Sequence, residues 1–394
     1  MTTSAAAPAP VVRRLDSLTG LRWWAAFGVF VYHMSNLAPL RTDELQHWGN
    51  YGVTFFFVLS GFVLSWSARP ATTRASTFWW RRFARIYPAH FVALIVAIPV
   101  FYSFAADPAD WWVKPLDLGL ILLSVVLLQG WSLDPIVRFS GNPAAWTLTC
   151  EAFFYALHPL LNRGLRRLRT RGALTAAAAI IVLAIVYRVV LVVAPGTLPP
   201  IPWPITRLLE FMIGMTIAQA FRHGWMPRLK PLWVYLAGAA VVLFFTYGSR
   251  VLDGNPVYAA VGRFSPEVVL IVCALMIAAV AARDLRGEPS LLRSRVLVWL
   301  GDLSYSFYLV HATIMYLLLD AVGVQQLGWL NLAWYALVLA LALAAAAGLH
   351  YLVEKPFERH LRSWWDRRVG PPRASAERYS RGDTPATSSR GTTG

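Results

Sequence analysis

Long apolar stretches, separated by short polar and basic segments, follow one another along most of this chain. The stretches expected to cross a bilayer lie at residues 16–36, 51–68, 86–105, 146–161, 172–194, 205–221, 231–247, 264–282, 297–319 and 329–353. A helix of about 20 apolar residues spans the hydrocarbon core, and within lipid only helices and closed barrels satisfy their own backbone. The pattern therefore predicts an all-α fold, a polytopic membrane helical bundle of about ten transmembrane helices.

One further apolar stretch is not expected to cross the membrane. Residues 118–130 are apolar but short, and the later stretch 146–161 runs directly into the basic sequence NRGLRRLRTR. If both stretches crossed, this basic sequence would lie outside, whereas Lys and Arg concentrate in cytoplasmic loops. We therefore expect 118–130 to be a re-entrant or interfacial segment within a long outer segment, 106–145.

Composition and charge support a membrane protein. Hydrophobic residues make up 57% of the chain and charged residues 14%, whereas soluble domains carry about 25% charged residues. In the ten-helix topology, 28 of the 36 Lys and Arg residues fall in segments assigned to the cytoplasm and five in outer segments. We expect a multi-pass protein of the cell membrane with both termini cytoplasmic. The same asymmetry accounts for the formal net charge of +16, so no nucleic-acid partner is expected.

The chain is expected to contain one membrane domain, residues 13–360. The Ala/Pro/Thr-rich residues 1–12 are predicted to be disordered, and they lack the pattern of a cleavable signal peptide. Residues 361–394 are predicted to be a cytoplasmic and largely disordered tail. Cys150 and Cys273 lie in apolar surroundings without metal-ligand spacing, so neither a disulfide nor a metal is expected.

The first predicted span carries two ionisable residues, Arg22 and His33. Such residues are costly in a membrane and usually face the protein interior or a wet cavity, where they mark function. The two are eleven residues apart, which is almost three helical turns, so both project from one face at levels about 16 Å apart. This places a cation below a titratable base. The alternative is that Arg22 snorkels to the interface and His33 is a buried structural histidine.

Other ionisable residues fall in the outer half of the predicted bundle. Glu151 lies there at the depth of His33, and a carboxylate beside an imidazole fixes its tautomer and strengthens it as a base. His311 and Arg188 also fall in the outer half, and His158 lies deeper than Glu151. For His311, His158 and Arg188 the alternative is a structural polar network that ties the helices together.

The sequence WWRRFARIYPAH is a candidate anion-binding segment at the cytoplasmic face. Arg82 and Arg85 are three residues apart, on one face of a helix that enters the membrane. A guanidinium pairs bidentately with phosphate, so both are candidates for phosphate contacts. The alternative is the ordinary flanking of a span by basic residues.

Six stretches, in the same order along the chain, resemble acyltransferase family 3, the polytopic membrane O-acyltransferases. Arg22 and His33 match its R-x10-H motif, and GVTFFFVLSGF resembles its GVDxFFVLSGF stretch, with Thr54 where an acidic residue is common. WTLTCEAFFYALHPLL resembles WSLxxEEQFYLxxPLL, with Glu151 at the first acidic position and Ala152 at the second. The others are RRFARIYP, which resembles RxxR-IYP, LGDLSYSFYLVHATIM, which resembles LGxxSYxxYLxH, and the terminal EKPF.

The resemblance implies transfer of an acyl group, expected to be acetyl, from cytoplasmic acyl-CoA to a hydroxyl. The expected partners are acyl-CoA, with acetyl-CoA as the donor, a hydroxyl-bearing carbohydrate or metabolite acceptor, and membrane lipid. Acceptors in the family include surface polysaccharides, peptidoglycan, lipid-linked sugars and macrolide antibiotics. For this chain we expect a surface glycan, a lipid-linked sugar or a secondary metabolite.

Roles for the candidate residues follow from this hypothesis. His33 is the general base and Glu151 orients it. Arg22 holds the pantetheine arm of the donor or stabilises charge on the thioester oxygen, and Arg82 and Arg85 bind the CoA phosphates. A covalent acyl-His33 intermediate is an alternative route. Further candidates for the site are Tyr305, His311 and Arg188.

Two other classes of function compete with an acyltransferase. A transporter or flippase for a glycolipid or a small molecule would line its path with the same polar residues. A sensor or structural partner without turnover is disfavoured, because buried Arg, His and Glu residues are costly to retain in lipid. Consumption of acyl-CoA by the purified protein would separate an acyltransferase from a transporter.

Overall fold

The computed structural model describes residues 14–68, 73–105, 107, 110–252 and 254–369. The helices are α1 (Asp16–Met34), α2 (Asp43–Gln46), α3 (Gly52–Ser67), α4 (Ala75–Phe101), α5 (Leu118–Val125), α6 (Pro135–Arg138), α7 (Trp146–Leu165), α8 (Thr170–Val193), α9 (Trp203–Arg222), α10 (Pro231–Val251), α11 (Pro256–Gly262), α12 (Ser265–Leu285), α13 (Arg295–Val322), α14 (Leu332–Leu349) and α15 (Lys355–Val369). Two strands of two residues each, β1 (Tyr102–Ser103) and β2 (Lys114–Pro115), pair in parallel. The segments predicted to be disordered at 1–12 and beyond 369 lie outside the described residues.

Each of the ten predicted spans corresponds to one long helix: α1, α3, α4, α7, α8, α9, α10, α12, α13 and α14. Within the described residues, seven helical segments are long and apolar enough to cross a membrane, and they include all of these helices except α1, α7 and α9. Those three carry several of the ionisable residues of the bundle interior, such as Arg22, Glu151 and Arg207. The predicted all-α polytopic membrane bundle is confirmed.

The helix ends follow local sequence signals. Pro231 is the first residue of α10, where its missing N–H costs nothing. The Asn255 side chain accepts hydrogen bonds from the N–H groups of Val257 and Tyr258 at the start of α11. Gly323 ends α13 with a φ of 69°, a conformation that favours glycine. These signals place the turns between the long apolar stretches.

Backbone contact at glycines brings the central helices together. A Cβ added at Gly61 of α3 would lie 1.9 Å from the Phe211 carbonyl oxygen of α9, and one at Gly214 of α9 would lie 1.9 Å from the Val58 carbonyl oxygen of α3. A Cβ at Gly301 of α13 would likewise lie 1.9 Å from a carbonyl oxygen of α1. Small residues let helices approach this closely in a membrane, where packing drives association. These contacts fix α3 against α9 and α1 against α13.

The start of α1 is fixed by carboxylates from two other helices. Asp284 of α12 accepts hydrogen bonds from the Ser17 N–H at 2.8 Å and the Ser17 hydroxyl at 2.5 Å. This carboxylate therefore caps the positive end of α1. Arg14 forms an ion pair with Asp302 of α13 at 3.0 Å. The depth and rotation of α1 in the bundle are thereby set from this end.

The helix ends that lie near the start of α1 form what we call the basic end of the bundle. The starts of α1 and α4 and the ends of α3 and α7 meet there around one large cavity. The arginines that line this cavity are Arg14, Arg22, Arg81, Arg82, Arg163 and Arg166. We call the other end, where the segment between α4 and α7 lies, the opposite end.

Residues 118–130 do not cross the bundle, as the sequence predicts. Helix α5 has eight residues, about 12 Å in length, whereas the hydrocarbon core is about 30 Å thick. The chain then turns at Leu127, whose φ is 57°, and residues Gln129–Trp131 pack on α7. The Gly130 N–H donates to the Thr149 hydroxyl of α7 at 3.3 Å. This segment closes the opposite end of the bundle beside α4 and α7.

The chain after α14 stays helical. A π-helical turn, His350–Glu354, leads directly into α15. Helix α15 packs on α4, where the Trp80 indole N–H donates to the Leu361 carbonyl at 2.8 Å and its ring stacks on Trp365. The domain boundary predicted at 360/361 therefore lies within a helix that continues to Val369.

The contact between α3 and α9 predicts a large cost for a side chain at Gly214. Gly214→Val should lower the free energy of unfolding by about 1–3 kcal/mol, because the helices must separate or distort to relieve the overlap with Val58. Thermal unfolding of the purified protein in detergent measures this loss. Gly164→Ala is the matched control, since a Cβ there has nothing within 4 Å. Equal stability of Gly214→Val and the wild type would contradict the close contact.

Candidate active site

Two histidines from different helices form a hydrogen-bonded pair. His33 Nδ1 of α1 lies 3.0 Å from His311 Nε2 of α13. His311 Nδ1 lies 2.9 Å from the Tyr308 carbonyl oxygen and 3.2 Å from the Phe307 carbonyl oxygen. A carbonyl only accepts, so His311 Nδ1 carries the proton and its Nε2 carries a lone pair. His33 Nδ1–H then donates to that lone pair, which leaves His33 Nε2 as the unprotonated nitrogen.

Aromatic packing and a side-chain amide hold this pair in place. The Phe307 ring stacks on His311 with ring centroids 5.7 Å apart, and it also contacts Phe30 of α1 at 5.8 Å. The Asn142 side chain from the opposite end donates to the Leu309 carbonyl at 2.7 Å. His311, a candidate on sequence grounds, is therefore the direct partner of His33.

The structure corrects the predicted pairing of Glu151 with His33. Glu151 Oε2 accepts a hydrogen bond from the Tyr155 hydroxyl at 2.7 Å, one turn away on the same helix. The prediction rested on depth, and depth does not determine neighbours. Helix α7 packs mainly on α9, whereas α1 packs mainly on α13. His311 occupies the position beside His33 that was expected for Glu151.

Glu151 instead shares a small cavity with Arg22. This cavity has a volume of about 60 Å³. Its lining residues are Arg22, Val53, Phe56, Phe57, Thr147, Leu148, Glu151, Ser304, Tyr305 and Tyr308. Tyr308 contacts His311 with ring centroids 5.8 Å apart, so the cavity lies next to the histidine pair. Arg22, Glu151 and the candidate Tyr305, whose hydroxyl donates to the Ile86 carbonyl at 2.7 Å, are therefore brought together.

A second, larger cavity opens at the basic end. Its volume is about 810 Å³, and Arg22 lines both this cavity and the small one. His158, which stacks on Phe78 with centroids 4.7 Å apart, forms part of its wall. A molecule that enters at the basic end therefore meets Arg22 before it reaches the small cavity and the histidine pair.

Some arginines of this large cavity form ion pairs with carboxylates, and others do not. Arg14 pairs with Asp302 and Arg81 pairs with Asp366. Within the described part of the chain, no carboxylate lies within the ion-pair distance of 4.0 Å of the remaining four arginines. Arg22 lies where the two cavities meet, and the other three, Arg82, Arg163 and Arg166, lie at the basic end. Arg82 packs on the Phe78 ring, and its Nε has no hydrogen-bond partner among the described residues. These three guanidinium groups are available to an anion.

Arg85 is placed differently from Arg82. Its Nη1 lies 2.7 Å from Glu354 Oε1 and 3.0 Å from Glu358 Oε2, and it does not line the large cavity. Glu354 also accepts hydrogen bonds from Ser306 and His350. Two carboxylates around one guanidinium leave little attraction for a phosphate. The geometry therefore favours a structural role for Arg85, as a tie between α4 and the EKPF segment, over the expected contact with phosphate.

Two further polar groups at membrane depth lie away from the cavities. Arg188, a predicted candidate, lies 3.0 Å from Glu267 and ties α8 to α12. Thr54, at the position where the family pattern has an acidic residue, accepts from Arg207 and donates to Glu210, each at 3.3 Å. Both groups fit the structural alternative, in which polar contacts hold helices together.

Sequence reasoning missed Arg163 and Arg166 as site candidates. They lie in the basic sequence after α7, which was interpreted only as a topology signal. Nothing in the sequence separates an arginine that faces a cavity from one that flanks a span. Only the large cavity at the basic end, where the end of α7 meets the starts of α4 and α1, reveals this difference.

Comparison with known proteins identifies the family. The sequence model described as "Acyltransferase domain" matches residues 15–351. The chain is 36% identical over 380 residues to "Acyltransferase MdmB" of Streptomyces mycarofaciens, and the match covers 89% of this chain and 94% of that protein. It is 25% identical to "Putative peptidoglycan O-acetyltransferase YrhL" of Bacillus subtilis, with 91% of this chain and 57% of that protein covered.

A third relative is "Peptidoglycan O-acetyltransferase OatA" of Listeria monocytogenes, which is 25% identical over 88% of this chain and 56% of its own length. The chain therefore spans little more than half the length of these two O-acetyltransferases. No solved structure matches the chain. The alternative of a transporter or flippase finds no support among these relatives. With the family model matched over most of its length, the chain belongs to acyltransferase family 3 and is a membrane O-acyltransferase.

Proposed function

We propose that this protein transfers a short acyl group from acyl-CoA, bound at a cytoplasmic basic end, to a hydroxyl of a glycan, lipid-linked sugar or secondary metabolite. The observation that carries this proposal is the sequence of two cavities that share Arg22 and lead from free arginines to the His33–His311 pair. The O-acetyltransferase names of two relatives support a hydroxyl acceptor.

The large cavity suits the nucleotide end of CoA. Its volume of about 810 Å³ falls within the range of about 300–1,000 Å³ that is usual for ligand sites. CoA carries several phosphate charges, and the three arginines without carboxylate partners offer bidentate contacts to them. The pantetheine arm is uncharged and narrow, so it can continue past Arg22 toward the small cavity.

The distance between Arg22 and His33 favours one of two roles for the arginine. Their positions on α1 are about 16 Å apart along the helix, too far for both side chains to act on one carbonyl carbon. Arg22 and Tyr308 line the small cavity, and Tyr308 contacts His311, the partner of His33. Arg22 therefore holds the pantetheine arm where the two cavities meet, and its guanidinium donates hydrogen bonds to the amide oxygens of that arm.

The histidine pair supplies the base. His33 Nε2 accepts the proton of the acceptor hydroxyl while the hydroxyl oxygen attacks the thioester carbon. His311 Nε2 accepts a hydrogen bond from His33 Nδ1–H, so it keeps the basic nitrogen toward the substrate and stabilises the imidazolium. When the tetrahedral intermediate collapses, the C–S bond breaks and the proton passes from His33 to the CoA sulfur. The products are an ester and free CoA.

Substitution of the two histidines should separate base from orienting group. His33→Ala should lower kcat by roughly 10²–10⁴, because the proton acceptor is lost, with little change in the KM for acyl-CoA. His311→Ala should lower kcat by at least about tenfold, since an imidazole free to choose its tautomer presents the wrong nitrogen for part of the time. Steady-state kinetics of the purified variants at saturating acceptor measures both effects.

His90 provides the matched control for these variants, because it is a buried histidine of α4 that hydrogen-bonds the Ser124 carbonyl and lines neither cavity. His90→Gln should keep a kcat close to that of the wild type. Normal turnover by His33→Ala would remove His33 from the mechanism. A kcat of His311→Ala equal to that of the wild type would show that the pair is structural.

The arginine geometry predicts different effects for Arg82 and Arg85. Arg82→Ala, or the pair Arg163→Ala and Arg166→Ala, should raise the KM for acyl-CoA about ten- to a hundred-fold, the effect of losing about 1.5–3 kcal/mol of charge-assisted hydrogen bonding. Arg85→Ala should instead destabilise the fold by about 1–3 kcal/mol, because buried Glu354 loses its arginine partner and keeps only its hydrogen bonds to Ser306 and His350. The remaining folded Arg85→Ala protein should keep the wild-type KM.

Kinetics with varied acyl-CoA and thermal unfolding of the same preparations provide these numbers. Arg359→Ala, an exposed arginine of α15 outside the cavity, is the control and should change neither KM nor stability. If Arg85→Ala raised the donor KM in a stable protein while Arg82→Ala did not, the phosphate contacts would lie elsewhere.

A further inference from the structure

Polar and apolar side chains share the lining of the small cavity. Its polar groups belong to Arg22 of α1, to Ser304, Tyr305 and Tyr308 of α13, and to Thr147 and Glu151 of α7. Its apolar lining consists of Val53, Phe56 and Phe57 of α3 and Leu148 of α7. A thioester that has passed Arg22 would therefore present its alkyl chain to these four apolar side chains, which form the apolar walls of the cavity.

These apolar walls are part of the packed core and have little freedom to move. Val53, Phe57 and Leu148 are at most 5% exposed. The Phe57 ring is held edge-on by Phe154 at 5.2 Å and by Trp146 at 6.3 Å, and Phe56 contacts Tyr308 at 6.3 Å. Close-packed interiors of this kind resist expansion, because a longer chain must displace several side chains at once.

The volume of the cavity sets a limit on what it holds. About 60 Å³ is roughly four to six times the space of about 10–15 Å³ that a single water needs. An acetyl group, with three heavy atoms, fits this space, and a butyryl group, with five, still fits. An octanoyl group, with nine, needs more space than this volume offers.

We propose that this cavity is the acyl site of the enzyme and that Val53, Phe56, Phe57 and Leu148 restrict the donor to acyl groups of about two to four carbons. The inference rests on the proposed function, in which acyl-CoA is the donor. It adds a substrate class and a set of specificity-determining residues to that function.

The test is the chain-length profile of the purified protein with acetyl-, butyryl- and octanoyl-CoA. The wild type should show a kcat/KM for acetyl-CoA at least about tenfold above that for octanoyl-CoA. Leu148→Ala and Phe56→Ala enlarge the cavity, so each should reduce this ratio by about tenfold or more. Val53→Leu fills it and should lower kcat/KM for butyryl-CoA while that for acetyl-CoA is largely kept.

Leu319→Ala is the matched control, because Leu319 is a leucine of α13 that is as buried as Leu148 but lines neither cavity, and it should leave the ratio unchanged. If Leu148→Ala does not fold, the milder substitution Leu148→Val replaces it. Leu148→Val should also reduce the ratio of kcat/KM for acetyl-CoA to that for octanoyl-CoA. Equal use of acetyl- and octanoyl-CoA by the wild type, or an unchanged ratio in the Leu148 and Phe56 variants, would overturn the acyl site. Failure of the wild type to consume any acyl-CoA would instead overturn the proposed function.

Discussion

Polar side chains at membrane depth need partners from the protein, because lipid offers them no hydrogen bonds. Helix α1 carries two such side chains, Arg22 and His33, and the surrounding helices are arranged to receive them. Asp284 caps the start of α1, and the contact between Gly301 and α1 holds α13 against it. With α1 fixed in depth and rotation, His33 meets His311 and Arg22 faces the two cavities.

The same constraint explains why the site is built mainly from the less apolar helices. Helices α1, α7 and α9 fall outside the set of helices that are apolar enough to cross a membrane by composition, and their ionisable residues Arg22, Glu151 and Arg207 have protein groups around them. Polar groups that face no cavity are paired off, as Arg188 is with Glu267 and Arg85 is with Glu354. Arg82, Arg163 and Arg166, which have no carboxylate partner among the described residues, line the large cavity instead, and this contrast is what gives the basic end its proposed role.

Much of the fold and part of the site could be predicted from the sequence. The spans, the segment 118–130 and the shared helix of Arg22 and His33 depend on local properties, namely apolar length, charge asymmetry and helical spacing. The neighbours of a residue depend on which helices pack together, so depth alone suggested Glu151 as the partner of His33 where the structure has His311. For the same reason the sequence could not show which arginines of the basic segments are paired with carboxylates, as Arg85 is, and which are unpaired, as Arg163 is.

The most direct test is a cryo-electron microscopy structure with a thioether analogue of acetyl-CoA that cannot be cleaved. The proposed arrangement predicts nucleotide density among Arg82, Arg163 and Arg166, a pantetheine arm that passes Arg22, and the acetyl carbon in the small cavity below the His33–His311 pair. Density for the nucleotide at the opposite end, or an acetyl group outside the small cavity, would contradict it.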